Sequence, residues 1–283
     1  MENKIYPTIK NAILLCLLLI GIQVGLSLLI IVFQVIFDVP DASPIMGVLY
    51  IFVSIISFGV VILIGYKKSK RKFNEIFKFN TLSPFLWLAT IIFSFGMIIV
   101  ISELDNLLNF ILPMPDFFRN MFETLAADQF LVISLIYMGI IPALFEELFF
   151  RGLILDGLNN NYSKRKAIII SALFFGIIHL NPWQFLTGFI IGLITAWICI
   201  QTKSILLCIY IHLFNNIVYT LAVRYRDIVS IKGFNANFET PVEFQPLWFT
   251  LSGLIILTVG TIMLIKGFKK PKPSLNTRLA QYA

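Results

Sequence analysis

The chain has 283 residues, 58% of them hydrophobic and only 13% charged, with a mean hydropathy of +0.89. A globule of this size cannot bury so much apolar surface, which excludes a soluble enzyme, a disordered chain and a nucleic-acid binder, and leaves a bilayer protein. The formal net charge of +7 has to be read by position, because membrane proteins gather Lys and Arg on one side.

Apolar runs occur at 11–37, 45–66, 84–112, 129–158, 166–181, 183–201, 204–223 and 247–266, against the roughly 20 residues that a crossing needs. The first run is too long for the apolar region of a signal peptide and predicts a retained anchor. Between the second and third, Phe73, Ile76, Phe77 and Phe79 alternate with Lys72, Glu75 and Lys78, the pattern of a short interfacial helix. The fourth run contains Pro142, which predicts a kink. The fifth is short, and Asn181-Pro182 marks a turn before the sixth; together they read as a tight helical hairpin. From about 267 to 283 the chain is basic and polar, a solvated tail. The fold class is therefore all-α: a single integral membrane domain over 1–283, a multi-pass bundle of about eight transmembrane helices in the cell membrane.

Eight crossings with a cytoplasmic N-terminus put Lys4, Lys10, Lys67 to Lys78, Arg151 to Lys166, Lys203 and Lys266 to Arg278 on one side. The other side keeps Arg119, Arg224, Arg226 and Lys232. This asymmetry orients both termini to the cytosol. The charge is an orientation signal, so it calls for no acidic partner. Cys16, Cys199 and Cys208 all fall in apolar runs and read as small buried hydrophobes.

Ionisable groups inside spans cost about 2.5–3.5 kcal/mol each on insertion scales, so each asks for a function. The fourth run carries Glu146, Glu147 and Arg151; the fifth carries Phe175 and His179; the seventh carries His212 and Asn216. Helix rise puts Glu146, His179 and Asn216 about 18–20 Å from the cytoplasmic ends of their helices, and His212 about 12 Å. Three helices thus bring polar groups to similar depth. Glu147 and Arg151 stand at i and i+4, the favourable order for an ion pair, which would neutralise two charges and fix a neighbouring helix. Glu146, turned about 100° away, lacks that partner and is the candidate general base, with His179 helping to hold a water. His212 and Asn216 share a helix face and could stabilise an oxyanion. No GxSxG elbow surrounds Ser171 or Ser204, and no HExxH motif occurs. His179, His212 and Glu146 could instead form a zinc set, and the residues leave metal-free and zinc chemistry both open.

In this order and in separate spans, EExxxR at Glu146–Arg151, FxxxH at Phe175–His179 and HxxxN at His212–Asn216 resemble the motifs of the CPBP family, the CAAX-protease and bacteriocin-processing (Abi) intramembrane proteases. His179-Leu180-Asn181-Pro182 and Gln184-Phe185 extend the likeness, which covers about 129–223. The resemblance implies an eight-helix bundle whose cavity opens towards the cytosol and the membrane. It also implies peptide-bond hydrolysis, with water activated by Glu146 and His179, the oxyanion held by His212 and Asn216, and Glu147 and Arg151 supporting the site. The family has been described both as metalloproteases and as glutamate-type enzymes without metal; the metal-free form, with no cofactor, is the expectation here, and zinc the alternative. The substrate it implies is a membrane-associated peptide or protein. Eukaryotic members trim prenylated CAAX proteins, whereas bacterial relatives are associated with peptide maturation, bacteriocin immunity and regulation. Two other readings keep the same polar groups: a non-catalytic immunity or scaffold protein, and a proton-coupled transporter, which inverted repeats would favour.

Overall fold

The computed structural model describes residues 4–40, 43–120, 130–226, 228, 231–234 and 242–269. The basic tail beyond 269 lies outside the described residues. The principal elements are α1 (Ile9–Phe37), α2 (Pro44–Ser69), α3 (Phe73–Ile76), α4 (Pro84–Ile111), α5 (Leu131–Asn161), α6 (Lys164–Ile177), α7 (Pro182–Thr202), α8 (Leu206–Arg224) and α9 (Leu247–Phe268). Among the described residues the one β feature is an isolated bridge between Phe79 and Ser204.

Seven of these helices are long and apolar enough to cross a membrane. The exceptions are the four-residue α3 and the longer α6. Its 14 residues reach about 21 Å, short of a hydrocarbon core of about 30 Å. It packs along α7 as the expected hairpin. Asn181 makes the turn: its Oδ1 accepts from the Gln184 amide at 2.8 Å, and its Nδ2 donates to the His179 carbonyl at 2.9 Å. Pro182 then opens α7 where a missing N–H costs nothing. Small residues let the two helices close up. A methyl on Gly192 would lie 2.9 Å from the Ala172 backbone, and one on Gly176 would meet Phe185 at the same distance.

Pro142 does not break α5. The chain instead widens into π-helical turns over Leu135–Ile140, just before the proline, and again over Leu148–Ile154. The first accommodates a residue that lacks an N–H and crowds the carbonyl four positions back. The second begins directly after the paired glutamates.

Contacts between elements define two ends of the bundle. At one, the Asp156 carboxylate binds Lys78 at 2.6 Å and also Arg71, the Ile205 amide donates to the Lys78 carbonyl at 2.9 Å, and the Ile5 amide donates to Asn161. This end carries Lys67, Lys68, Lys164, Arg165, Lys166 and Lys203 and is called the basic end below. The α3 segment belongs to it, although only four residues are helical. Ile76 and Phe77 are buried in the bundle while Phe73 and Phe79 stay exposed, so the segment is plugged into the protein by half of its apolar face. At the opposite end the Trp183 indole donates to the Leu112 carbonyl at 2.8 Å, and the Asn106 amide donates to the Gly233 carbonyl at 2.7 Å.

Candidate active site

Glu147 is the centre of a buried polar chain that joins three helices. Its Oε2 lies 3.0 Å from Arg151 Nε on the next turn of α5, and its Oε1 lies 3.1 Å from His212 Nδ1 on α8. Both Glu147 and Arg151 are buried. The guanidinium donates to Thr195 Oγ1 of α7 through Nε at 2.8 Å and through a terminal nitrogen as well. The Thr195 hydroxyl in turn donates to the Ile191 carbonyl at 2.8 Å. The expected ion pair is present. Its link to His212 was not read from the sequence, because that contact crosses between helices and depends on their rotational phase. One signal could have found it: of two adjacent glutamates about 100° apart on a helix, the one facing Arg151 has a second oxygen that needs a donor.

Phe175 organises the other side. The Arg151 guanidinium carbon lies 4.3 Å from the centre of its ring, and the ring edge meets both imidazoles, with centroids 5.6 Å from His179 and 5.5 Å from His212. The FxxxH motif therefore places an aromatic spacer between the two histidines, in cation–π contact with the buried cation.

The remaining hydrogen bonds fix which nitrogens are free. His179 Nδ1 is 2.9 Å from the Phe175 carbonyl, which can only accept, so Nδ1 carries the proton and Nε2 presents a lone pair. His212 gives its Nδ1 proton to Glu147. Its Nε2 is a lone pair in the neutral ring and a donor only in the doubly protonated ring. Glu146 faces away from Arg151, and its Oε2 is buried without a hydrogen-bond partner. Asn216 Oδ1 accepts a long 3.4 Å bond from Asn215, and among the described residues nothing accepts from its Nδ2.

Glu146, His179, His212 and Asn216 all line one cavity of about 490 Å³. Its apolar lining includes Ile98, Ile101, Tyr137 and Met138. Asp105, Asn109, Gln184 and Thr187 add polar groups, and Thr187 donates to Asp105 Oδ1 at 2.6 Å. Asp105 was missed in the sequence. The question put to charges in the fourth, fifth and seventh runs, applied to the third, would have raised it.

The zinc set meets a plain difficulty. Among the described residues no group of three or more His, Cys, Asp or Glu side chains is gathered to hold a metal ion. His179, His212 and Glu146 share the cavity but do not fit a ligand set in this arrangement, and no step below runs through a metal. The cysteines are free; Cys208 donates to the Thr195 carbonyl at 3.2 Å as a packing group.

With this geometry the comparison with known proteins is specific. Residues 128–218 match the family model described as type II CAAX prenyl endopeptidase Rce1-like. This stretch carries the core of that CPBP family. It contains every polar residue of the buried chain and all four cavity residues, from Glu146 to Asn216. The match supports a CAAX-type intramembrane protease at family level over that stretch, and seven helices of the chain are long and apolar enough to cross a membrane. No curated protein and no solved structure matches the chain.

Proposed function

We propose that the chain is an intramembrane endopeptidase that hydrolyses a peptide bond of a membrane-associated peptide or protein with an activated water. The observation that carries this reading is the unpaired Glu146 carboxylate in the same cavity as the free Nε2 of His179. A water between the two has an acceptor on each side. Glu146 takes its proton as the oxygen attacks the scissile carbonyl, and later returns it to the leaving amine. The His179 nitrogen holds the water in line.

As the carbonyl becomes tetrahedral, its oxygen needs donors. Asn216 Nδ2 is one. His212 Nε2 is the second when its ring is doubly protonated, a form that leaves both nitrogens as donors, one to Glu147 and one to the substrate. Glu147, Arg151 and Thr195 hold the His212 ring in place and do not themselves reach the substrate. Preorganised donors of this kind are worth about 10²–10³ in turnover each.

The test is cleavage by purified, reconstituted protein. Peptides from membranes with and without the gene, compared by mass spectrometry, name the scissile bond. Glu146→Gln and His179→Ala are expected to abolish that cleavage while inserting normally, and Asn216→Ala to lower it by roughly 10²–10³. A stably inserted Glu146→Gln protein with full biological activity would rule out hydrolysis as the function.

A further inference from the structure

The cavity occupies only one half of the bundle. Its lining comes from the middle of α1 and α2 (Gln23, Ser54 and Phe58), the second half of α4, the first halves of α5 and α7, the end of α6 with the turn that follows it, and α8 from His212 onward. It also includes Met114 and Phe234, which belong to the end opposite the basic one. Ser102 Oγ donates to the Phe234 carbonyl at 3.1 Å, and the Phe118 and Trp183 rings meet at 5.4 Å, so these loops and helix ends form one surface around Trp183. Below the four cavity residues, towards the basic end, the space is filled. Phe149, Phe150, Leu153, Ile154, Leu158 and Leu207 are buried there.

Two expectations therefore conflict. Basic loops mark the cytosolic side, yet the cavity extends from Glu146 and His212 away from those loops. An opening towards the cytosol and a cytosolic basic end do not fit the same molecule.

We propose that the active-site cavity is entered from the non-cytoplasmic face, and that its substrate is an exported or outward-facing peptide segment, not a cytosolic prenylated tail. This rests on the proteolytic reading for the word substrate, while the access route stands on geometry and charge alone. The lining suits such a ligand: Ile101, Tyr137 and Met138 offer apolar contact, and Asn109, Gln184 and Thr187 offer partners for an extended peptide backbone.

The test is accessibility to a membrane-impermeant maleimide. Cys16, Cys199 and Cys208 are first replaced by Ala, and single cysteines are then introduced as Asn109→Cys, Thr187→Cys and, at the basic end, Lys70→Cys. In spheroplasts the reagent added outside should modify the first two and spare Lys70→Cys, which should react only in inverted vesicles. Should Asn109→Cys fail to accumulate, Thr187→Cys reports the same cavity. Modification of the cavity positions only in inverted vesicles, or from neither side, overturns the proposal. Labelling needs no turnover, so a Glu146→Gln background should give the same pattern. A reversed pattern would sink the access route and leave hydrolysis standing; an outward pattern on a protein that cleaves nothing would do the opposite.

Discussion

Glu147 and Glu146 are neighbours in sequence with opposite environments. Glu147 is enclosed between a guanidinium and an imidazole, with both of its oxygens in ion-pair range, whereas Glu146 makes no ion pair among the described residues and its Oε2 is buried without a hydrogen-bond partner. Removing one member of a buried ion pair typically costs about 3–5 kcal/mol, whereas replacing both with apolar groups can be nearly neutral. Glu147→Ala should therefore lower thermal stability in detergent by an amount in that range. The double variant Glu147→Leu with Arg151→Met should recover most of it and still turn over at least tenfold more slowly, because His212 has lost the acceptor that orients it. Full turnover in the folded double variant would reduce the buried chain to packing. Phe175→Leu tests the spacer between the imidazoles, with a fall in turnover expected to exceed the fall in stability. The placement of Glu146, His179, His212 and Asn216 around one cavity was legible, because helix rise and periodicity fix depth and face. The Glu147–His212 bond and the role of Phe175 were not, since both depend on how separate helices are rotated against each other.

At the scale of helices, the hairpin of α6 and α7 sets the position of His179. A methyl added at Gly188 would lie 3.3 Å from His179 Cε1 and 3.4 Å from Nδ1. Gly188→Ala should therefore nudge the imidazole by a few tenths of an ångström, leaving thermal stability near wild type while turnover falls roughly tenfold, on the scale by which misplacement of about 1 Å costs 10². Gly192→Ala meets the Ala172 backbone instead, so its expected effect is lower stability and yield; equal behaviour of the two variants would refute the distinction. Apolar runs, the Asn181-Pro182 turn and the shortness of the fifth run were readable from sequence. The π-helical turns of α5 were not. Pro142 announces that something must yield, but the neighbouring helices decide between a bend and a wider turn.

Over the whole molecule, the basic end is a clasp and the far end holds the cavity. Asp156 secures the clasp by binding both Arg71 and Lys78. Asp156→Ala leaves those cations without their carboxylate, and a loss of about 1–3 kcal/mol is expected, measured by thermal unfolding in detergent. Turnover per folded molecule should not change, since the clasp is remote from the cavity; a selective loss of turnover would mean that the two ends communicate. The basic loops were legible as an orientation signal from composition alone. Which half of the bundle is hollow was not, because that depends on where Phe149, Phe150 and Leu153 pack. The solid half also decides where the voltage falls. With the cavity water-filled and open to one compartment, as proposed, it is nearly equipotential with that compartment, so the drop, worth about 2.3 kcal/mol per charge per 100 mV, is concentrated across the aromatic plug. Proton movements at Glu146 should consequently follow the pH of that compartment and be insensitive to the membrane potential, as a proteoliposome assay under an imposed potassium diffusion potential would reveal.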